Sequence, residues 1–272
     1  MSSGGGGGGG VKRDSDGKAR APNAPSGRFH DMFAHFRDEL DEHHDRRERI
    51  VKASRDVTAQ SKKIIFTLQR VKTLNQDFSS STEKDVSSRM AEITKLLQSV
   101  APDLQSVNRH RYAWPLRCLE ELVEALSMAH YLRHQRLITP SEAQAAVPAD
   151  IALTPHDYMY GIFDLFGELM RFATVQRAAV LPRASAVAAA AAGGGSDDAK
   201  RPILRDMQEL GCAFEMLPHV PSKEYRSKME VMRQSVRKVE ALGYGLVVRG
   251  SERPQGWVPD MKDEAPGRVS PV

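Results

Sequence analysis

Two short stretches of this sequence carry acidic residues at a spacing that permits chemistry. In LEELVEALSMAHYL, residues 119–132, the acids are Glu120, Glu121 and Glu124; in TPHDYMYGIFDLFGELMR, residues 154–171, Asp164 and Glu168 lie four apart. In an α-helix, residues three or four apart share a face, so Glu121 with Glu124, and Asp164 with Glu168, each form a one-sided pair that repels itself. The second segment is otherwise apolar almost all round, through Tyr158, Met159, Ile162, Phe163, Leu165, Phe166, Leu169, Met170 and Phe172, so most of its circumference must be buried. A carboxylate pair there needs a counter-charge or an opening to water. A divalent cation clamped between the two helices resolves the repulsion. Hard oxygen donors without imidazole or thiolate suit Mg2+ or Mn2+, which retain waters and grip phosphate oxygens. Di-iron bundles use Glu-x-x-His, whereas Ser127 stands three after Glu124 and Arg171 three after Glu168, which disfavours iron. In a nuclease the bound ion would activate a water, orient the scissile phosphate and stabilise the charge of the transition state. A plainer reading stands beside this one. Asp157, Asp164, Glu168 and Arg171 fall on one heptad-like stripe, which could be a solvated helix face, with Glu121 and Glu124 on another.

The elements that position these residues read as helices throughout, so the expected fold class is all-α, a bundle of about seven helices. Phe29, Phe33, Phe36, Leu40, Ile50, Ser54, Val57, Ser61, Ile64, Leu68 and Val71 recur at mostly three- and four-residue steps and predict a first helix over about Arg28 to Lys72. At roughly 65 Å it is too long for a compact bundle to cover, so part of it is expected to pack on another subunit. Thr82 opens a second helix that Pro102 ends. A third runs from near Arg111 to Leu137 and either starts at Pro115 or is kinked there. Thr139-Pro140 begins a short helix. Thr154-Pro155-His156-Asp157 combines a cap hydroxyl, a first-turn proline and an acidic third position, introducing a long helix to about Val180. Pro202 starts a further helix, and the last runs from about Ser222 to Val248, with Gly250 as a stop.

One helical domain is expected over residues 28–250. Residues 1–27 are Gly, Ser, Pro and charge, a disordered tail by composition; the tract 184–199 is a low-complexity insertion loop, and 251–272 a flexible C-terminal tail. No apolar run approaches the roughly 18 residues of a membrane span, and a glycine tract stands where a signal peptide would be apolar, which favours an intracellular protein. The two cysteines, Cys118 and Cys212, are far apart without a CxxC or a Cys/His cluster and read as reduced. A formal net charge of +4 favours anionic partners.

Several long motifs together resemble the translin family, and within it the members that partner translin more than translin itself. They are LDEHHDRRERIVKASRDVTAQSKKIIF (residues 40–66), LEELVEALSMAHYL, TPHDYMYGIFDLFGELMR and KVEALGYGLVVRGSERP (residues 238–254), spanning most of Leu40 to Pro254 in order. The resemblance implies a translin-like bundle with a long first helix, a hetero-octameric shell formed with translin, and Mg2+-dependent endoribonuclease cleavage of single-stranded RNA inside it. It carries the family's acidic site, catalytic and metal-binding, onto Glu121, Glu124, Asp164 and Glu168, with Glu120 beside the site. It also implies small-RNA and transfer-RNA processing, single-stranded DNA as a further ligand class, and residence in cytoplasm and nucleus, although VKRDSDGKAR is too diluted by acids for a basic localisation cluster.

Arg46, Arg47, Lys62 and Lys63, with Arg49 and Arg70, are candidates for phosphate contacts from the first helix, and Arg109, His110 and Arg111 form a second basic cluster. A solvated face or subunit salt bridges account for them equally well. His130 reads as a structural histidine rather than a general base, and the aromatics as core rather than a base-stacking platform. The rival to the enzyme is a non-catalytic scaffold subunit that stabilises translin and binds nucleic acid or proteins.

Overall fold

A computed structural model describes residues 27–176, 201–218 and 220–249. The N-terminal tail up to residue 26, the insertion at 184–199, the end of the long helix expected to reach Val180, and residues 250–272 lie outside the described residues. Within them the chain is all helical, with eight α-helices and no strand: α1 (His30–Leu68), α2 (Ser80–Val100), α3 (Asn108–Arg111), α4 (Cys118–His134), α5 (Pro140–Ala145), α6 (Pro155–Val175), α7 (Ile203–Glu215) and α8 (Lys223–Arg249). Seven were expected; the eighth is the four-residue α3, too short to show a periodicity. No described helix is long and apolar enough to cross a membrane.

Caps decide where these helices start. Thr154 Oγ1 accepts from the Asp157 backbone N–H at 3.1 Å while Asp157 accepts from the Thr154 N–H at 2.9 Å, with Pro155 in the first turn. Thr139 and Glu142 repeat this reciprocal box on α5. Each box satisfies two orphan amide groups at once. On α2 the capping hydroxyl belongs to Ser79, so that helix starts two residues before Thr82. Pro115 neither begins nor kinks α4. It sits in the 3-10 turn Trp114–Leu116, and α4 follows from Cys118. The far end of α4 is closed by Gln135 in the left-handed region, φ 48°, its N–H returning to the Tyr131 carbonyl at 2.7 Å.

The chain divides into two units, Met1–Arg46 and Arg47–Val272. In the first, Phe29, Met32, Phe33, Phe36 and Leu40 are all exposed, with Phe33 and Phe36 edge-to-face at 6.1 Å. The second holds the core, and the buried residues of α1 begin only at Ile50. Helix α6 is its centre, packing most extensively on α4 and next on α8. Phe163 and Phe166 are fully buried, and Phe214 of α7 and Tyr225 of α8 close on the Phe163 ring at 4.4 and 5.7 Å. Cys118 is buried and its thiol is pushed up to about 12 by that burial; Cys212 is exposed, and both are free.

Two features hold α6 in register. Gly161 lies so close to α4 that a Cβ there would stand 2.7 Å from the Glu120 carbonyl oxygen and from Val123 Cβ. Asp157, besides capping α6, pairs with Arg109 at 2.6 Å, and Arg109 also donates to the Ala152 carbonyl at 3.1 Å. Asp157 is therefore a buried cap and not part of a solvated stripe.

Two stability predictions follow from this packing. Gly161→Ala should destabilise the fold by about 1–3 kcal/mol through overpacking against backbone, whereas Gly167→Ala, with nothing within 4 Å of the new Cβ, should be neutral or stabilising by up to about 1 kcal/mol; denaturant melts of the two variants compare them directly. Arg109→Ala should cost about 3–5 kcal/mol because it strands a buried carboxylate, and a midpoint shift under 1 kcal/mol would show that Asp157 finds its charge balance elsewhere.

Candidate functional site

The four carboxylates singled out by spacing come together. Glu121 and Glu124 from α4, and Asp164 and Glu168 from α6, line one cavity of about 510 Å³. Its remaining wall comes from Lys62, Ile65 and Phe66 of α1 and Gln69 just past its end, with Phe163 and Gly167 of α6 and Val231 of α8. The cause is geometric. Glu121 and Glu124 share one face of α4, Asp164 and Glu168 share one face of α6, and the contact at Gly161 sets those faces against each other.

Each of three carboxylates is turned to its own partner. Lys62 Nζ lies 3.3 Å from Glu121 Oε1. Lys228 of α8 donates to both oxygens of Asp164, at 2.8 and 2.6 Å. Gln69 Nε2 donates to Glu168 at 2.9 Å. Glu124, only 8% exposed, is left among like charges: burial first, then Asp164, Glu121 and Glu168, push its carboxyl up to about 8, while Lys228 pulls the other way. Glu120 is buried but belongs to a different cluster, hydrogen-bonded to Arg117 at 3.3 Å with His156 3.9 Å away; burial raises its carboxyl, and Arg117 opposes the rise.

The donor chemistry fits a hard divalent cation: four carboxylates of one sign, with no imidazole or thiol among the lining residues. The arrangement is relaxed, however. As the side chains stand, no group of three or more His, Cys, Asp or Glu among the described residues is disposed to hold an ion. Glu121, Asp164 and Glu168 would have to turn from their present partners inward, and the cavity gives them room.

The basic candidates separate by position. Lys62 stands at the cavity, and Lys63 beside it is exposed. Arg46 pairs with Glu42 at 2.6 Å, and exposed Arg47 approaches Glu48 at 3.9 Å. Arg49 is held by Asp103 at 2.8 Å. His110 and Arg111 are exposed, but Arg109 is buried in its ion pair with Asp157 and shares no surface with them. His130 lies against His134, ring centroids 4.7 Å apart, away from the cavity lining; its Nε2 is buried without a hydrogen bond, and burial lowers its pKa.

Three residues at the site escaped sequence reading. Gln69 ends no recognisable motif. Phe66 is 58% exposed at the cavity rim with the Arg70 guanidinium 4.9 Å from its ring, so an aromatic does reach the surface at this cavity. Lys228 did leave a signal: three residues after Tyr225 and four before Met232, it interrupts the apolar stripe of α8.

Comparison with known proteins places this geometry in a family. Translin-associated protein X of Rattus norvegicus is 29% identical over 254 residues, covering 84% of this chain and 82% of the rat protein. The translin-associated protein X homolog of Schizosaccharomyces pombe is 26% identical over 229 residues, covering 81% and 89%. Among solved structures, the crystal structure of apo-NeC3PO superposes with a TM-score of 0.54 at 17% identity, covering 84% of this chain and 98% of that one, which establishes the fold alone. The translin family model matches residues 45–250, a span that contains every residue of the carboxylate cavity, and the chain therefore belongs to the translin family.

Proposed function

We propose that this chain is the catalytic subunit of a hetero-oligomeric endoribonuclease formed with translin, cleaving single-stranded RNA at a Mg2+-dependent site made by Glu121, Glu124, Asp164 and Glu168. The observation that carries the reading is the meeting of these four carboxylates on one open cavity. Partnership with translin rests on the family and on relatives whose name describes association with translin. It is supported by the exposed apolar residues Phe29, Met32, Phe33, Phe36 and Leu40, a helix face that association would remove from water.

Mg2+ or Mn2+, when bound, supplies Lewis acidity toward a phosphoryl oxygen and a water of lowered pKa. The chain's own residues do the rest. Glu124, buried at the floor, and Glu121, Asp164 and Glu168 around it provide the oxygen ligands. The apolar walls from Ile65, Phe163 and Val231 limit water around the charged groups, which strengthens their field. Lys62 at the mouth attracts a phosphate. Phe66 offers a ring face on which an unpaired base can stack, with Arg70 beside it for the backbone; such stacking tolerates any base. These contacts favour single strands, whose bases are free to leave a helix, and they carry no sequence preference.

The scaffold reading keeps one observation in its favour: three of the four carboxylates are individually satisfied, by Lys62, Lys228 and Gln69, as in an idle site. Metal-dependent turnover separates the two. With the chain co-expressed with translin, cleavage of a single-stranded RNA should require Mg2+, stop with chelator, and fall by about 10²-fold or more in Glu121→Ala/Glu124→Ala while the complex still assembles. Turnover indifferent to the substitutions would leave the scaffold. Phe66→Ala should weaken binding of a single-stranded oligonucleotide by about 5- to 150-fold, from roughly 1–3 kcal/mol per stacked base, and leave duplex binding unchanged. Loss of assembly instead would assign the ring to the subunit interface.

A further inference from the structure

Helices α7 and α8 leave an open groove between them, away from the carboxylates. Gln208 Nε2 donates to Glu240 at 2.7 Å, and Arg233 donates to both oxygens of Glu215 at 2.6 and 2.8 Å. Each contact bridges the two helices, and the pairing of early α7 with late α8 makes them antiparallel. The bridges lie two helical turns apart, about 10 Å. Between them is a cavity of about 500 Å³ with Gly211, Met232 and Val236 as its apolar floor and Cys212 and Arg237 at its edges. A Cβ on Gly211 would stand 3.4 Å from Val236 Cγ2 and 3.6 Å from Met232 Sδ, so any larger side chain there would cover both. Arg237 is exposed and makes no ion pair among the described residues. The groove thus offers apolar surface and one uncompensated cation.

The chain itself carries a segment of matching chemistry. Beyond Arg249, the last residue of α8, the sequence continues GSERPQGWVPDMKDE over residues 250–264. Its large apolar residues are Trp257, Val258 and Met261, and its acids Asp260, Asp263 and Glu264 follow the tryptophan closely. Length permits a return to the groove. From Arg249 the lining residues Glu240 to Met232 lie about 14–26 Å back along α8, and the eight residues from Arg249 to Trp257 reach up to about 26–29 Å when extended. Gly250 and Gly256 allow the reversal, and Pro254 and Pro259 reduce the entropy that docking removes. Residues 177–200 also adjoin α7, but they hold no aromatic residue. We infer that Trp257–Met261 of the chain's own C-terminal segment occupies the α7/α8 groove, with the indole of Trp257 on Met232 and Val236 between the two bridges and Asp260 against Arg237. Docked in this way the segment covers Cys212 and ties α7 to α8. The inference depends on neither the metal nor the RNA reading.

Cys212 is the reporter. Of the chain's two cysteines it alone is exposed in the groove, Cys118 being buried, so its alkylation by N-ethylmaleimide, located by peptide mass spectrometry, reads whether the groove is covered. With the full chain co-expressed with translin, Cys212 should label about tenfold or more slowly than in a chain ending at Arg253, because labelling waits for the segment to open. Trp257→Ser, which keeps the full length, should label as fast as the shortened chain. Arg237→Glu should quicken labelling, and adding Asp260→Arg should slow it again. The thiol introduced by Val258→Cys should form a disulfide with Cys212 under diamide, in a band of single-chain mass. Fast labelling of the full chain would show an open groove, and slow labelling whether or not the segment is present would give the groove to another subunit. A disulfide found only in a covalent dimer would assign the segment to a neighbouring copy. Each of these results overturns the inference. Should the shortened chain fail to assemble, Trp257→Ser decides in its place.

Discussion

The structure depends on how closely α6 approaches α4. At Gly161 the two backbones are near enough that even a methyl group would meet the Glu120 carbonyl and Val123. Around that contact lie fully buried residues, Leu119, Leu122 and Val123 on one side and Ile162, Leu165 and Phe166 on the other. Interiors packed to this density do not deform gradually. The positions of Glu124, next to Val123 on α4, and of Asp164, three residues after Gly161 on α6, therefore follow from the packing. The capping box at Thr154 and the Arg109–Asp157 pair fix the start of α6, so its register against α4 is set at two points.

The same closeness creates an electrostatic problem that neighbouring elements answer. Four carboxylates on adjacent faces would oppose the packing that brings them together, and α1 and α8 each contribute a cation while the turn after α1 adds the Gln69 amide. Glu124, nearest the core, receives no such partner and its carboxyl is raised to about 8. Helices distant in sequence thus complete a site whose acids come from only two of them.

The fold was legible in the sequence because helical periodicity and capping chemistry are local signals. The Thr154 box, the proline-led starts and the stripe of α8 all belong to windows of a few residues, and the structure places helices there. The acids were legible for the same reason, since Glu121 with Glu124 and Asp164 with Glu168 are short-range pairs. What could not be read was tertiary. The Arg109–Asp157 pair joins residues 48 apart, and it draws Arg109 out of the basic cluster that its neighbours suggest. Lys228 and Asp164 are 64 apart; only the break in an apolar stripe hinted that this lysine faces inward. Phe66 stands next to the buried Ile65; the stripe through Ser61, Ile64 and Leu68 leaves it on another face of the helix, but nothing local shows that this face meets a cavity. Pro115 was ambiguous because a proline in a first turn and one in a preceding 3-10 turn have the same local sequence requirement, a fixed φ and no need for an N–H.

The balance between enzyme and scaffold can be argued from what the site does to stability. A buried carboxylate without a counter-charge is destabilising, and replacing such groups by apolar residues of similar volume is commonly neutral or favourable. Glu124 is in that position, and Lys228 is a half-buried cation whose partner, Asp164, is itself part of the acidic cluster. A subunit whose task was only to fill a shell and support its partner could carry a leucine at the first place and a methionine at the second, and would be the more stable for it. Electrostatic strain of this kind, gathered at one cavity, is the usual trade of stability for a site that must receive a charged ligand. A divalent cation is the ligand that would reverse the destabilisation, since it turns the repulsion among Glu121, Glu124, Asp164 and Glu168 into attraction toward a common centre.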